Sequence, residues 1–179
     1  MNTYIVLLRG INVGGKNKLP MADLRELLSE NGYQNVSTYI QSGNIILSSS
    51  NNTDYINNDI KNLIKNAFNY TIPVVTLTTD ELIRCYNSNP FLTTENDSKF
   101  LHVTFIKHPP TKQTITTLNI HTQENESYQI IDKFIYLHTP DGFAKTKFTN
   151  IQFEKKLQTE ATTRNWRTVS KLVSLISSN

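Results

Sequence analysis

Apolar and polar positions change period several times along this chain, and each change marks an element. Residues 4–8, Tyr4-Ile5-Val6-Leu7-Leu8, form an unbroken apolar run that predicts a buried strand over residues 3–8. Met21, Leu24, Leu27 and Leu28 then recur at helical spacing, with Pro20 at a first-turn position and Gly32 past the end. Residues 36–40 and 45–47 read as a hairpin across Gln41-Ser42-Gly43-Asn44. The polar run 48–53 is a loop. Ile56, Ile60, Leu63, Ile64, Ala67 and Phe68 mark a second helix over 54–69, and residues 74–77 close as a strand. The order β-α-β-β-α-β is the split βαβ, or ferredoxin-like, unit.

The same order then begins again. Thr78 and Glu81 have the spacing of a capping box for a short helix over 80–86, Asn89-Pro90 ends it, and residues 91–98 connect. Residues 100–106 read as a strand, and Pro109-Pro110 precede a weaker helix over 111–118. Short strands at 128–131 and 134–137 pair, and residues 148–157 read as a helix. Trp166, Val169, Leu172, Val173 and Ile176 form the stripe of a last helix, capped at Thr162-Thr163. The predicted class is α+β: two ferredoxin-like (split βαβ) halves with a C-terminal helix. The first half covers 1–78, a connecting helix and linker 79–97, and the second half with its helix 98–179. The repeat lies in element order, not in residue identity.

Composition narrows the classes. With 37% hydrophobic and 18% charged residues among 179, the chain can bury a core, and wholesale disorder is excluded. Its apolar runs are too short to span a bilayer, so no membrane partner is expected. No basic segment followed by an apolar stretch and a small-residue cleavage site follows Met1, and Cys85 stands alone, without a disulfide framework. The expected location is the cytoplasm, and the expected oligomeric state a monomer or weak dimer. The net charge of +3 is unevenly spread: +3 over residues 1–20, −5 over 21–141 and +5 over 142–179. Ends that meet in the fold make one positive patch with longer reach than a single lysine.

Candidate chemistry concentrates in those basic ends. Gly10-Ile11-Asn12-Val13-Gly14-Gly15-Lys16-Asn17 has the spacing of a phosphate-binding loop, with Asn17 where a Ser or Thr is expected. Glycines there let backbone N–H groups turn toward an anion, and Lys16 neutralises charge. A nucleotide-hydrolysing P-loop opens its helix at the Gly-Lys pair, whereas Pro20 starts this helix later, and no strand ending in Asp supplies a metal-binding carboxylate. An anion-binding loop without hydrolysis fits better; otherwise the glycines shape a βα connection and Lys16 is solvated. Gln41, Ser42 and Asn44 add amide and hydroxyl donors, or simply turn the chain. Ser42 lacks the Gly-x-Ser-x-Gly setting of a hydrolase nucleophile.

Near the C-terminus, Arg164 and Arg167 flank Asn165 and Trp166 at a predicted helix N-terminus, a position that favours anions. Trp166 stacks on a base or begins the core stripe of the last helix. Arg164 and Lys171, seven residues apart, share a helix face if both are helical. Lys145 and Lys147 add cations after Pro140-Asp141-Gly142. His102, His108, His121 and His138 lack metal-ligand spacing; His102 reads as a sheet-face residue and Cys85 as a buried structural thiol. Phe134 and Tyr136 share a strand face as in RNA-recognition sheets, without the accompanying basic-Gly-aromatic signature. No metal or cofactor is implied.

These motifs in combination resemble those of a large bacterial family of uncharacterised proteins, the domain of unknown function sixteen-ninety-seven. The resemblance rests on residues 7–17 (LLRGINVGGKN), Pro20-Met21, residues 38–44 (TYIQSGN), Asn89-Pro90-Phe91, Pro140-Asp141-Gly142, and Thr163-Arg164-Asn165-Trp166 with Thr168, Lys171 and Leu172. It implies a two-part α+β fold with ferredoxin-like halves, and no established activity. Lys145-Thr146-Lys147 stands where the family often has Arg-Ser-Lys, and Arg167 where it often has Asn.

The leading expectation is a binding protein for an anionic small molecule or nucleic acid: a nucleotide, a nucleic-acid segment or a phosphometabolite. Its candidate ligand-binding residues are Arg9, Asn12, Gly14, Gly15, Lys16, Asn17, Gln41, Ser42, Asn44, Lys147, Arg164, Asn165, Trp166 and Lys171, converging on one basic cleft. The alternatives are an enzyme acting on a phosphorylated substrate, for which no general base is evident, and a structural or protein-interaction module without a ligand. On the leading expectation, the Lys16→Ala, Arg164→Ala double variant binds phosphorylated probes more weakly and with a flatter salt dependence in titrations.

Overall fold

The computed structural model describes residues 1–93, 96–120 and 122–177. The chain forms two compact units, Met1–Leu82 and Ile83–Asn179. In the first, β1 (Asn2–Leu8), α1 (Met21–Glu30), β2 (Gln34–Tyr39), β3 (Asn44–Ser49), α2 (Thr53–Phe68) and β4 (Val74–Thr78) follow in order. The strands form one sheet, ordered β2-β3-β1-β4, with every neighbour antiparallel. Tyr4, Val6 and Leu8 of β1 alternate onto one face. There they meet Leu24 and Leu28 of α1, Ile56, Ile60 and Ile64 of α2, and Ile45 and Leu47 of β3 in one apolar core. The Asn52 side chain caps α2 by accepting from Tyr55 N at 2.9 Å, and Asn69, left-handed at φ 59°, ends it.

α3 (Thr79–Asn87) carries the chain from one unit to the next. Its capping box closes as predicted: Thr78 N donates to Glu81 Oε2 at 2.9 Å, and Glu81 N to Thr78 Oγ1 at 3.1 Å. After a 3-10 turn (Ser98–Phe100), the second unit runs β5 (Leu101–Ile106), α4 (Lys112–Thr117), β6 (Ser127–Ile131), β7 (Phe134–His138), α5 (Asn150–Leu157), β8 (Ala161–Asn165) and α6 (Trp166–Ser177). Its sheet, β6-β7-β5-β8, repeats the first topology strand for strand. The fold is therefore α+β, with two ferredoxin-like sheets and an added C-terminal helix. Two predicted elements change. Residues 161–165 form a strand where the sequence suggested the cap of the last helix, and α5 begins at Asn150, capped by Thr149, whose hydroxyl accepts from Gln152 N at 3.1 Å. The predicted connector 91–98 lies partly outside the described residues, and so does His121.

One face of the second sheet packs Ile106, Ile135 and Leu137 against Phe148, Phe153 and Leu157. The opposite face carries Phe105, Phe134 and Tyr136, whose rings meet edge to face. The Tyr136 hydroxyl donates to the Cys85 carbonyl at 2.9 Å. Phe153 is fully buried and stacks on Phe148 at 6.1 Å. Phe153→Ala is expected to cost about 3–5 kcal/mol, read as a lower urea midpoint.

Candidate functional site

The connection between β1 and α1 folds back on itself. Asn12 N donates to Asn17 O at 3.1 Å, and Lys16 N to Val13 O at 3.0 Å across a tight turn. Five residues of this connection are left-handed: Gly10, Asn12, Gly14, Gly15 and Asn17. Asparagine tolerates that conformation better than other side-chain-bearing residues. The Asn17 amide donates to Gly10 O at 2.8 Å. The Asn12 amide makes three bonds: Nδ2 donates to Leu19 O and to Gln41 O, both at 2.9 Å, and Oδ1 accepts from Leu19 N at 2.8 Å.

Asn12 thus fastens the loop to the β2–β3 turn. Leu8 N donates to Gly43 O at 2.8 Å, and a Cβ at position 43 would lie 2.7 Å from Leu8 Cβ and 2.9 Å from Ile11 Cδ1, so only glycine fits. Asn44 is fully buried, and its Nδ2 donates to Tyr39 O at 3.1 Å and to Ser42 Oγ at 2.9 Å. Beside it Ile40, exposed and β-branched, is left-handed at φ 51°, a strained conformation. The structure therefore brings the predicted loop and turn together. The amides of Asn12, Asn17 and Asn44 serve the backbone rather than pointing outward. Gly14, Gly15, Lys16 and Gln41 are exposed, while Arg9 and Ser42 are half-buried. α1 begins five residues beyond Lys16, and β1 is antiparallel to both neighbours, so the arrangement is not that of a P-loop nucleotidase.

In the second unit, the register of β5 with β8 sets the chemistry. Val103 faces Arg164, and His102 faces Asn165. Strand alternation sends Arg164 and Asn165 to opposite faces. Arg164 is 8% exposed; its guanidinium donates to Thr162 Oγ1 at 2.8 Å and to Thr163 O at 2.9 Å, and burial lowers its pKa to about 10. Because β8 ends at Asn165, Arg164 and Lys171 share no helix face; Arg167 and Lys171, both exposed, have the i, i+4 spacing. Trp166 is 3% exposed and stacks on Tyr86 at 5.2 Å, the core role. Asn165 Oδ1 accepts from Thr168 N at 2.8 Å and so caps α6. Lys147 is exposed ahead of α5.

Beside the N-terminus of α6 lies a cavity of about 540 Å3, lined by Asp97, Ser98, Lys99, His102, Asn165 and Arg167. Lys99 Nζ sits 2.9 Å from Asp97 Oδ2 and 4.7 Å from the centroid of the Phe100 ring. The Lys99 backbone N–H, then its side chain, holds the Asp97 carboxyl below the usual carboxylate range. His102 is 8% exposed and stacks on Phe143 at 4.2 Å; its Nδ1 has no hydrogen-bond partner among the described residues. Burial lowers the pKa of its imidazole, and a hydrogen bond to the Phe100 backbone opposes this only in part. Guanidinium, ammonium and helix N-terminus together favour an anion. Of these residues the sequence named Asn165 alone as ligand-binding; it noted Arg167 only as a cation flanking Trp166 and His102 only as a sheet-face residue, because no spacing links 97–102 to 165–167. Cys85 is fully buried and its thiol is pushed up to about 12, so it is no nucleophile.

These features define an α+β protein of two ferredoxin-like sheets, with a glycine-rich loop tipped by Lys16 in the first unit and a cavity lined in part by Lys99, Arg167 and Asp97 in the second. The chain belongs to the family described as Protein of unknown function (DUF1697), whose model matches residues 1–136. A solved structure, that of the conserved bacterial protein SP0830 from Streptococcus pneumoniae, is similar in fold with a TM-score of 0.67 at 22% identity, over 97% of each chain. No curated protein matches. No helix among the described residues is long and apolar enough to cross a membrane.

Asn12→Ala leaves the Leu19 amide and two carbonyls without their partner. It is expected to destabilise by about 2 kcal/mol or more, measured by denaturant unfolding, with fast hydrogen exchange at Leu19.

Proposed function

We propose that the protein binds a phosphorylated ligand, whether nucleotide, nucleic-acid segment or phosphometabolite. The observation that carries this reading is the second unit's cavity, where Arg167 and Lys99 stand at the N-terminus of a twelve-residue helix. Guanidinium offers paired donors to phosphate oxygens, and the helix terminus adds a favourable dipole. The exposed Gly14-Gly15-Lys16 tip of the first unit carries the same kind of chemistry and supports the reading independently. For that loop a structural reading also has a specific observation behind it, since the Asn12, Asn17 and Asn44 amides are committed to the backbone.

Arg164, enclosed by its own strand, is a poor probe because its loss disturbs folding before binding. Arg167 and Lys16 are exposed and serve instead. Thermal-shift and calorimetric titrations with nucleotides, RNA and phosphosugars at low salt are expected to show saturable binding. Arg167→Ala is expected to weaken it about tenfold without lowering the melting temperature of the free protein, and Lys16→Ala to weaken it less. Affinities equal in wild type and Arg167→Ala would remove the cavity from the reading.

A further inference from the structure

Each sheet has two outer strands, and among the described residues one of these four is open and unprotected. β4 is buried from Val74 to Leu77, and β8 at Ala161, Thr162 and Arg164. β2 is accessible but carries a bulge between Gln34 and Ser37, with Asn35 left-handed at φ 52°, which breaks its edge. β6 has none of these devices. Ser127-Tyr128-Gln129-Ile130-Ile131 contains no charge and no proline, its register with β7 is regular, and Ser127 and Gln129 are exposed. The two-residue connection Asp132-Lys133 makes Ile131 and Phe134 a hydrogen-bonded pair, so Gln129 and Ser127 bond to β7 as well. Tyr128 and Ile130 therefore turn their N–H and C=O groups away from β7, and these four groups have no hydrogen-bond partner among the described residues. An edge of this kind is a template for another strand.

We propose that the occupant of this edge is β6 of a second copy of the chain, paired antiparallel about a twofold axis through Gln129. The axis follows from the hydrogen-bonding pattern. Centred there, Tyr128 lies opposite Ile130 of the second copy and Ile130 opposite its Tyr128, so all four outward groups of each strand are satisfied at once. An axis through Tyr128 sets Ile130 against Glu126, whose N–H is already given to Gln123 O at 3.1 Å. An axis through Ile130 sets Tyr128 against Asp132, a turn residue left-handed at φ 56°. The side chains agree. Tyr128 and Ile130, half-buried on the face of Ile135 and Leu137, gain each other as aromatic and β-branched neighbours across the new pair. The strand carries no charge to repel its copy. Glu126 comes opposite Asp132 of the second copy, but Asp132 is paired with Arg84 at 3.7 Å, and the Glu126 carboxylate accepts from Gln123 N at 3.0 Å. Five residues a side cover well under the roughly 1,200 Å2 of a stable interface, so the dimer is a weak one that forms at high concentration.

The test is sedimentation of the full chain from about 10 μM to about 1 mM, with hydrogen exchange followed at both ends of that range. The chain is expected to pass from monomer to dimer, and the Tyr128 and Ile130 amides to exchange several-fold more slowly at the upper end. Gln129→Lys places like charges across the axis and is expected to weaken association about tenfold without lowering the melting temperature. In a non-hydrogen-bonded pair the two Cα atoms stand about 4.5 Å apart, so Gln129→Cys is expected to cross-link two copies under a mild oxidant. Cys85, fully buried, does not compete. If a variant fails to fold, sedimentation and exchange of the unsubstituted chain decide the matter. A chain that stays monomeric throughout overturns the proposal, even if an added strand-forming peptide protects the two amides. Dimers in which those amides keep the monomer's exchange rate overturn it too, and so do dimers indifferent to Gln129→Lys.

Discussion

Each sheet hangs on its first strand. β1 pairs with β3 on one side and β4 on the other, and β5 pairs likewise with β7 and β8. A strand buried on both faces needs apolar residues facing both ways; residues 4–8 are apolar throughout, residues 101–106 are apolar except for His102 and Thr104, and all of them are buried. Once these central strands are fixed, the chemistry follows from register. In the first unit, Leu8 at the end of β1 receives the β2–β3 turn through Gly43, and the loop that follows closes over the same turn through Asn12. In the second, the pairing of His102 with Asn165 assembles the cavity wall from distant parts of the chain.

The two units share a topology but use it differently. The polar motif of the first follows its first strand, in a loop that consumes most of its own hydrogen-bonding capacity. The polar site of the second lies where the fourth strand gives way to an extra helix. Asn165 ends that strand and caps that helix with one side chain. This one residue therefore links the added helix to the cavity, and it satisfies the Thr168 amide in the first turn of α6.

Where the sequence was readable, periodicity was strong. The runs in β1, β5 and β7, the stripes of α1, α2 and α6, and the capping box of Thr78 and Glu81 all appear close to their predicted places. β8 was hidden because Ala-Thr-Thr-Arg-Asn has neither apolar alternation nor a run. Its stability comes from pairing with β5 and from the 2.7 Å bond between the Thr104 and Thr163 hydroxyls, which no local pattern encodes. The same gap concealed the burial of Arg164, since a residue taken for the edge of a helix sits on an inner sheet face. The nearness of the Arg9–Asn17 and Gln41–Asn44 motifs could be guessed from their composition, but their mutual fastening by Asn12 could not. His102 was legible as a sheet residue; its membership of a cavity depends on residues more than sixty positions away.

Ile40 carries a consequence of its own. A β-branched side chain in the left-handed region stores on the order of 1–3 kcal/mol, and the surrounding bonds must restrain it. Here the restraint comes from Asn44, from the Leu8–Gly43 bond and from the Asn12 clasp. The turn behaves as a cocked spring, with its latch in a different loop. The strain at residue 40 is thus held in part by a bond reaching across from another loop, from Asn12 Nδ2 to Gln41 O.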